Sequence, residues 1–395
     1  MRRPLRTLAA GLAILSVGAA GCGPDSPPPR PAIDISRLDV GSYPTAPREI
    51  GKPRFDHARL SEGQRLGGFI PLPMDINPRF IFQPYSETGP VLAFIETLYS
   101  LNLSVDSFKA NAPGFIAGFD GLAYSENDVS IATSLSNAVL LFADQQSATS
   151  AAATLAQAIA TKQGLREPVG IGEHPAALAF WKPGTQELYS FQADGPYVIY
   201  TEVKDQAKIA VGTTDLPAMV SLVQQSLDMV GARLHGFRPT PPDKLTDVPI
   251  DHDGMLGRSL PRPNEDGWRN PPGLYDRTGA LNLSSDPVRD KKLFDEAGVD
   301  WLVYNAGYLY RAESRKGAQL IRDSHSAPSK LYRRIDPPKS LPTARCREFR
   351  LTDVVTNRFH CTASYDRYTA EVWSNQLIDV YQRISAQYAI LAKAT

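Results

Sequence analysis

Apolar residues recur three and four positions apart in several stretches, and each such stretch predicts a helix with one buried face. Ala148, Ala152, Leu155, Ala156 and Ile159 form one stripe; Asp144 or Ser147 can cap its start, and Gly164 follows as a stop. Leu216, Met219, Val220, Val223, Leu227 and Val230 form a second, capped by Asp215 and read as ending at Gly231. Leu377, Tyr381, Ile384, Tyr388 and Leu391 form a third near the end of the chain. Asp286-Pro287, a cap followed by proline at the first helical position, opens a shorter helix that stops at Gly298. Arg315–Asp323 reads as a further helical piece, and the apolar stretch Pro90–Leu103 as a buried helix.

Short apolar or alternating runs between these helices predict strands. In the first half they are Ala138–Phe142, Ala176–Trp181, Leu188–Gln192 and Tyr197–Val203, with Asp194-Gly195-Pro196 as a turn. In the second they are Val299–Tyr304, Tyr308–Arg311, Cys346–Leu351, Arg358–Tyr365 and Tyr368–Trp373. Each half thus shows strand, helix, three strands, helix. ELYSFQADGPYVIYTEV and NRFHCTASYDRYTAEVW align loosely, Tyr197 against Tyr368. The pattern predicts an α+β protein of two related domains, a possible duplication, each a small, mainly antiparallel sheet with helices packed on one face. Residues 34–60, punctuated by Gly and Pro, read as an extended lead-in. Residues 236–275, rich in Pro, Gly and Asp, mark the boundary, with Leu256, Leu260 and Trp268 able to dock on a surface. The expected division is 34–240 and 241–395.

The first residues follow a different logic. Arg2, Arg3 and Arg6 precede an apolar run from about Leu8 to Ala20, about 13 residues long, the length of a signal-peptide core and short of the roughly 20 that span a bilayer. Ala19-Ala20-Gly21-Cys22 ends the run, and GPDSPPPRP follows. This predicts a lipoprotein signal over 1–21, lipid attachment at Cys22 and a Pro-rich tether over 22–33. Proline at that density favours polyproline II at about 3.1 Å per residue. The expected location is the extracytoplasmic face of a bacterial cell membrane.

Composition narrows the chemistry. The chain carries 42 basic and 42 acidic residues, and removal of residues 1–21 leaves 39 against 42. Nucleic-acid binding is excluded by the lack of a basic excess or basic run. Of three cysteines, Cys22 belongs to the signal; Cys346 and Cys361, an isolated pair in an exported chain, predict a disulfide across a hairpin. No metal site is expected, because no C-x-x-C or H-x-x-x-H accompanies them.

No metalloprotease, α/β-hydrolase or Walker signature is present, and Gly170-Ile171-Gly172 lacks the third glycine and following helix of a dinucleotide fingerprint. No cofactor is expected. Asp251-His252-Asp253-Gly254 has the residue types of a cation or acid–base site, but reads first as a polar turn. Glu202 and Glu371 occupy similar places in the two halves and read as solvent-facing strand residues. Tyr197, Tyr200, Tyr304, Tyr308 and Tyr310 could line a cleft, and by spacing read as core and sheet-face residues.

Leu38-Asp39-Val40-Gly41-Ser42-Tyr43-Pro44 after the signal and tether, RLGGFIPLP over Arg65–Pro73, and AVLLF followed by an Ala-rich helix over 138–163 resemble a family of actinobacterial cell-envelope lipoproteins of unknown function. The resemblance implies a two-part extracytoplasmic region and brings no catalytic residues. The expected function is non-enzymatic binding or scaffolding in the cell envelope. Its partners would be the membrane, through the lipid on Cys22, and an envelope protein, glycan or lipid ligand. The alternatives are a hydrolase with dispersed catalytic residues, and a solute- or lipid-binding accessory of a transporter. A binding role predicts a pocket between the domains, whereas a hydrolase predicts a Ser, Asp or Glu beside His174, His252 or His360 in a cleft.

Overall fold

A computed structural model describes residues 33–83, 90–93, 103–164, 167–262, 272–351 and 357–394. Cys22, the signal, almost all of the tether and Trp268 lie outside the described residues.

The first half opens with α1 (Phe55–Gly67) and the single-turn α2 (Pro73–Ile76). Then come β1 (Val91–Leu92), α3 (Val105–Asn111), β2 (Phe115–Tyr124) and β3 (Thr133–Phe142). Helix α4 (Gln145–Gln163) is capped by Asp144, whose carboxylate accepts from Ser147 N, and closed by left-handed Gly164. Strands β4 (Glu167–Val169), β5 (Leu178–Lys182), β6 (Glu187–Asp194) and β7 (Tyr197–Asp205) lead through the short α5 (Gln206–Ala210) to α6 (Leu216–Leu234).

The second half repeats this order. Strand β8 (Gly273–Asp276), α7 (Arg277–Leu281) and α8 (Pro287–Ala297) precede β9 (Trp301–Tyr304) and β10 (Gly307–Arg311). Helix α9 (Arg315–His325) follows, then β11 (Tyr332–Ile335), β12 (Arg345–Phe349), β13 (Phe359–Tyr365), β14 (Tyr368–Ser374) and α10 (Leu377–Lys393). The two seven-stranded antiparallel sheets have one topology: β1-β2-β3-β7-β6-β5-β4 in the first and β8-β9-β10-β14-β13-β12-β11 in the second. The hairpins aligned from sequence are equivalent. Asp194 pairs with Tyr197 and Tyr365 with Tyr368 across two-residue turns, and the first turn residue in each, Gly195 or Asp366, has positive φ.

Helices cover both faces of each sheet, not one. Val198 and Tyr200 of β7 face α4, whereas Tyr197, Ile199 and Val203 face α6. On β14, Thr369 and Glu371 face α9, and Ala370 and Val372 join the core that includes Val380 and Ile384 of α10. Three further expectations are corrected. Helix α1 begins at Phe55 inside the stretch read as an extended lead-in. Val91–Leu92 is an edge strand paired to β2, and residues 94–102 of the expected helix lie outside the described residues. Helix α6 runs past Gly231 to Leu234, because Val230 and Leu234 continue its buried face.

One hydrophobic core runs through both halves: Leu60 and Leu66 of α1, Phe119 of β2, Tyr275 of β8, Phe294 of α8 and Ile321 of α9 belong to it. An ion triad crosses the same seam, with Asp75 bound by Arg233 at 3.1 Å and by Lys291 at 2.8 Å. Residues 33–50 pack on the second half. Leu38 enters its core, Tyr43 donates to Asp379 at 2.6 Å and accepts from Arg383, and Gln382 donates to Asp39. The strap thus precedes the first half in sequence and lies on the second in space.

Candidate functional site

The described residues 48–54, and 250–262 with 272–273, join the two halves, and a cleft of about 570 Å³ opens where these two crossings meet α1. One wall is the segment 48–54 with His57, Leu60, Ser61 and Gln64 of α1; the other is formed by Ile250, Leu256, Pro261, Arg262, Pro272, Gly273 and Asn305. Two close approaches fix the walls. Arg48 N donates to Gly257 O at 3.1 Å, and a Cβ on Gly257 would lie 2.4 Å from Arg48 O. Gln64 donates to Pro272 O at 3.3 Å and accepts from Leu274 N at 3.4 Å, and a Cβ on Gly273 would collide with its amide. Only glycine fits at 257, where the obstacle is backbone; a side chain at 273 would displace the Gln64 amide from its two hydrogen bonds.

Among the described residues four cations reach this cleft: Arg48, Lys52, Arg54 and Arg262. Arg48 Nη1 donates to Ser259 O at 3.2 Å; burial disfavours its charge and lowers its pKa, and the nearby Asp251 carboxylate offsets this in part. Arg262 Nε donates to Asn305 O at 3.1 Å, its guanidinium lies 4.7 Å over the Tyr304 ring, and its Nη2 is buried without a hydrogen-bond partner. Among the described residues the lining holds one carboxylate, Glu49. These groups can bind and orient an anion.

A second polar assembly lies on the α9 face of the second sheet. His325 Nδ1 sits 3.1 Å from Glu371 Oε2; its Nε2 sits 3.5 Å from Asp290 Oδ1, close enough for charge attraction but without hydrogen-bond geometry. Arg347 and His360 approach Glu371 Oε1 at 3.3 and 3.7 Å, and Arg289 holds Asp290 at 2.8 Å. Burial would lower the His325 pKa, but the two carboxylates more than reverse this and raise it to about 9. Burial would raise Glu371, yet His325, His360 and Arg347 hold it well below the usual carboxylate range; Asp290 falls to about 2 because His325 and Arg289 outweigh its burial. The sequence expectation for Glu371 is therefore corrected: it is 7% exposed and ion-paired, not solvent-facing. Glu202 is half-buried and accepts from Tyr200 at 2.7 Å. Burial raises its pKa.

The other sequence-singled residues separate. Cys346 and Cys361 are direct cross-strand partners and form a disulfide. Asp251 closes its own loop, accepting from Leu256 N and Gly257 N at 2.7 and 3.0 Å, while Asp253 pairs with Arg311 and His252 stacks on Trp301. The Asp-His-Asp-Gly stretch is thus a polar turn, and no metal-ligating cluster occurs among the described residues. His174 pairs with Asp228 at 2.8 Å, and neither it, His252 nor His360 lines the cleft. Tyr197, Tyr200 and Tyr310 are core residues, and Tyr304 and Tyr308 pack around Trp373. Sequence reasoning missed the cleft cations. The available signal was the cluster Arg48, Lys52 and Arg54 in one short stretch; nothing in sequence joins it to Arg262.

Fold and seam define a two-part α+β protein whose equivalent halves enclose a basic cleft. Residues 50–250 match the N-terminal domain, and residues 255–394 the C-terminal domain, of the family described as a domain of unknown function, DUF7373. The chain belongs to this family. No curated protein and no solved structure matches it.

Proposed function

We propose that this protein is a lipid-anchored extracytoplasmic lipoprotein of an actinobacterial cell envelope that binds a small ligand in the cleft between its halves, without catalysing a reaction. The observation that carries the binding role is the cleft itself, about 570 Å³ at the seam of the two sheets. Small-ligand sites have this order of size and lie preferentially between structural units. The anchor rests on Arg2, Arg3 and Arg6, the short apolar run and Cys22. No helix among the described residues is long and apolar enough to cross a membrane. A diacylated Cys22 would supply more than the single chain that anchors only marginally.

Two experiments test the two parts. Cys22→Ala is expected to move the protein out of the membrane fraction, and unchanged membrane association would overturn the anchor. Hydrogen exchange on the full chain, with and without an organic-solvent extract of the cell envelope, is expected to show protection at residues 48–64 and 256–262. Absence of protection at both segments would overturn the binding role.

A further inference from the structure

We propose that the cleft takes an anionic amphiphile, an acidic head group (phosphate or carboxylate) carried on an apolar chain. This rests on the reading of the cleft as a ligand site and specifies what it holds.

Charge is the first argument. The whole chain is balanced at 42 basic and 42 acidic residues, yet among the described residues the cleft gathers Arg48, Lys52, Arg54 and Arg262 against Glu49 alone. None of the four cations has a carboxylate ion-pair partner among the described residues. Elsewhere Arg311 is paired with Asp300 and Asp253, Arg322 with Asp323 and Arg347 with Glu371, while Arg59 is sunken on a backbone carbonyl without an ion pair among the described residues. Like charges concentrated in a cleft with low-dielectric walls focus the field on an incoming anion.

Arg262 also carries an unfilled donor. Arg262 is held by Asn305 O on one side and the Tyr304 ring beneath, so its guanidinium is preorganised. Its Nη2 is buried and has no hydrogen-bond partner, which is costly for a charged group, and an acidic head group reaching it would offset that cost. On the facing wall, Arg48 is fixed by Ser259 O and is desolvated without a contacting carboxylate. A head group between them would satisfy both. No side chain caps the start of α1 at Arg54, so the positive end of that helix faces the same space.

The remainder of the wall is largely uncharged. Ile50, Leu60 and Leu256 are apolar, and the cavity is far larger than a bare phosphate or carboxylate fills. A ligand that buries these surfaces while placing its acid on the arginines needs an apolar portion joined to a single charged end.

The test uses the full acylated chain held in phosphatidylcholine nanodiscs, with empty nanodiscs as reference and binding read by surface plasmon resonance. The probes are decyl phosphate, decanoate, decanol and inorganic phosphate. Both acids are expected to bind at least roughly tenfold more tightly than decanol or inorganic phosphate. Arg262→Gln and Arg48→Gln should each weaken the acids by roughly tenfold and leave decanol unchanged. Lys52→Gln, at an exposed position where folding is not at stake, should weaken them about threefold. Decanol binding as tightly as decyl phosphate would overturn the head-group assignment, and inorganic phosphate binding as tightly would overturn the apolar part. If no probe binds while envelope extract still protects residues 48–64 and 256–262, the ligand class is wrong and the cleft remains a binding site. If the extract also fails to protect, both readings fall.

Discussion

The face of the first sheet that packs on α4 and the face of the second that packs on α9 are equivalent in the shared strand order, and they are built from different chemistry. With the two hairpin turns superposed, Tyr189, Phe191 and Tyr200 of the first sheet correspond to His360, Thr362 and Glu371 of the second. The first set forms an aromatic and aliphatic core under the small side chains Ala148, Ala151, Ala152 and Ala156. The second set carries the ion network around Glu371 and His325. One topology accepts either filling, so the alternation of inward and outward positions sets the fold more than the chemistry at each inward position. The filling matters for how stability responds to charge and pH. A hydrophobic face is indifferent to protons, whereas a buried pair fails when one partner is neutralised.

The largest expected effect sets these faces against each other. Glu371→Gln leaves His325 and Arg347 without their buried anion and should cost about 3–5 kcal/mol. At the equivalent position, Tyr200→Phe removes only the hydrogen bond to Glu202 and should cost about 1 kcal/mol. Equal losses in denaturant unfolding would break the comparison. Reduction of the Cys346–Cys361 bridge, whose partners are 15 residues apart, should cost about 3 kcal/mol in the chain-entropy model, and the second half alone should register it as faster hydrogen exchange at β12 and β13.

The pH dependence is next. The folded pKa of His325 is raised to about 9 from an ordinary 6.5, so its contribution is fully present below about pH 6.5 and is gone once the pH has passed about 9. Chemical denaturation should show a loss of at most about 3 kcal/mol over that window. The loss should vanish in His325→Gln, and an unchanged alkaline slope in that variant would assign the titration elsewhere. The smallest effect concerns the equivalent helix starts. Asp144 caps α4 and Ser314 caps α9, each accepting from a backbone N–H three residues on. Alanine at either should cost about 1 kcal/mol, and a marked difference between the two would show that the ionic face, not the cap, holds α9.

Much of the scaffold is visible in the sequence where local signals agree. Asp215 before α6, Asp286-Pro287 before α8 and Gly298 after it combine a cap, a stop and a 3.6-residue stripe. The hairpin alternation places Cys346 opposite Cys361. Helix α1 is hidden because it is wedged in the seam. Glu62, Gly63 and Gln64 are all buried there, so no single apolar stripe develops. Strand β2 is hidden because Gly118 and Gly121 interrupt its apolar run, whereas Gly118 is needed for close packing: a Cβ on it would lie 2.8 Å from Val139 O of the neighbouring strand. The ion network escaped because Glu371 sits in a strand that alternates as a surface strand does; its partners on α8, α9, β12 and β13 are set by tertiary packing. The cleft is illegible for the same reason, since Arg48 and Arg262 meet only when the two crossings close on α1.

The seam between two like halves is where the molecule differs most from either half alone, and the account of function stands on it. Native mass spectrometry of the full chain extracted from envelope membranes tests it directly, with the chain and its Arg48→Gln/Arg262→Gln variant compared. A bound acidic lipid-sized species is expected on the first and lost from the second, with both chains folded. The same adduct retained by the double variant would contradict it.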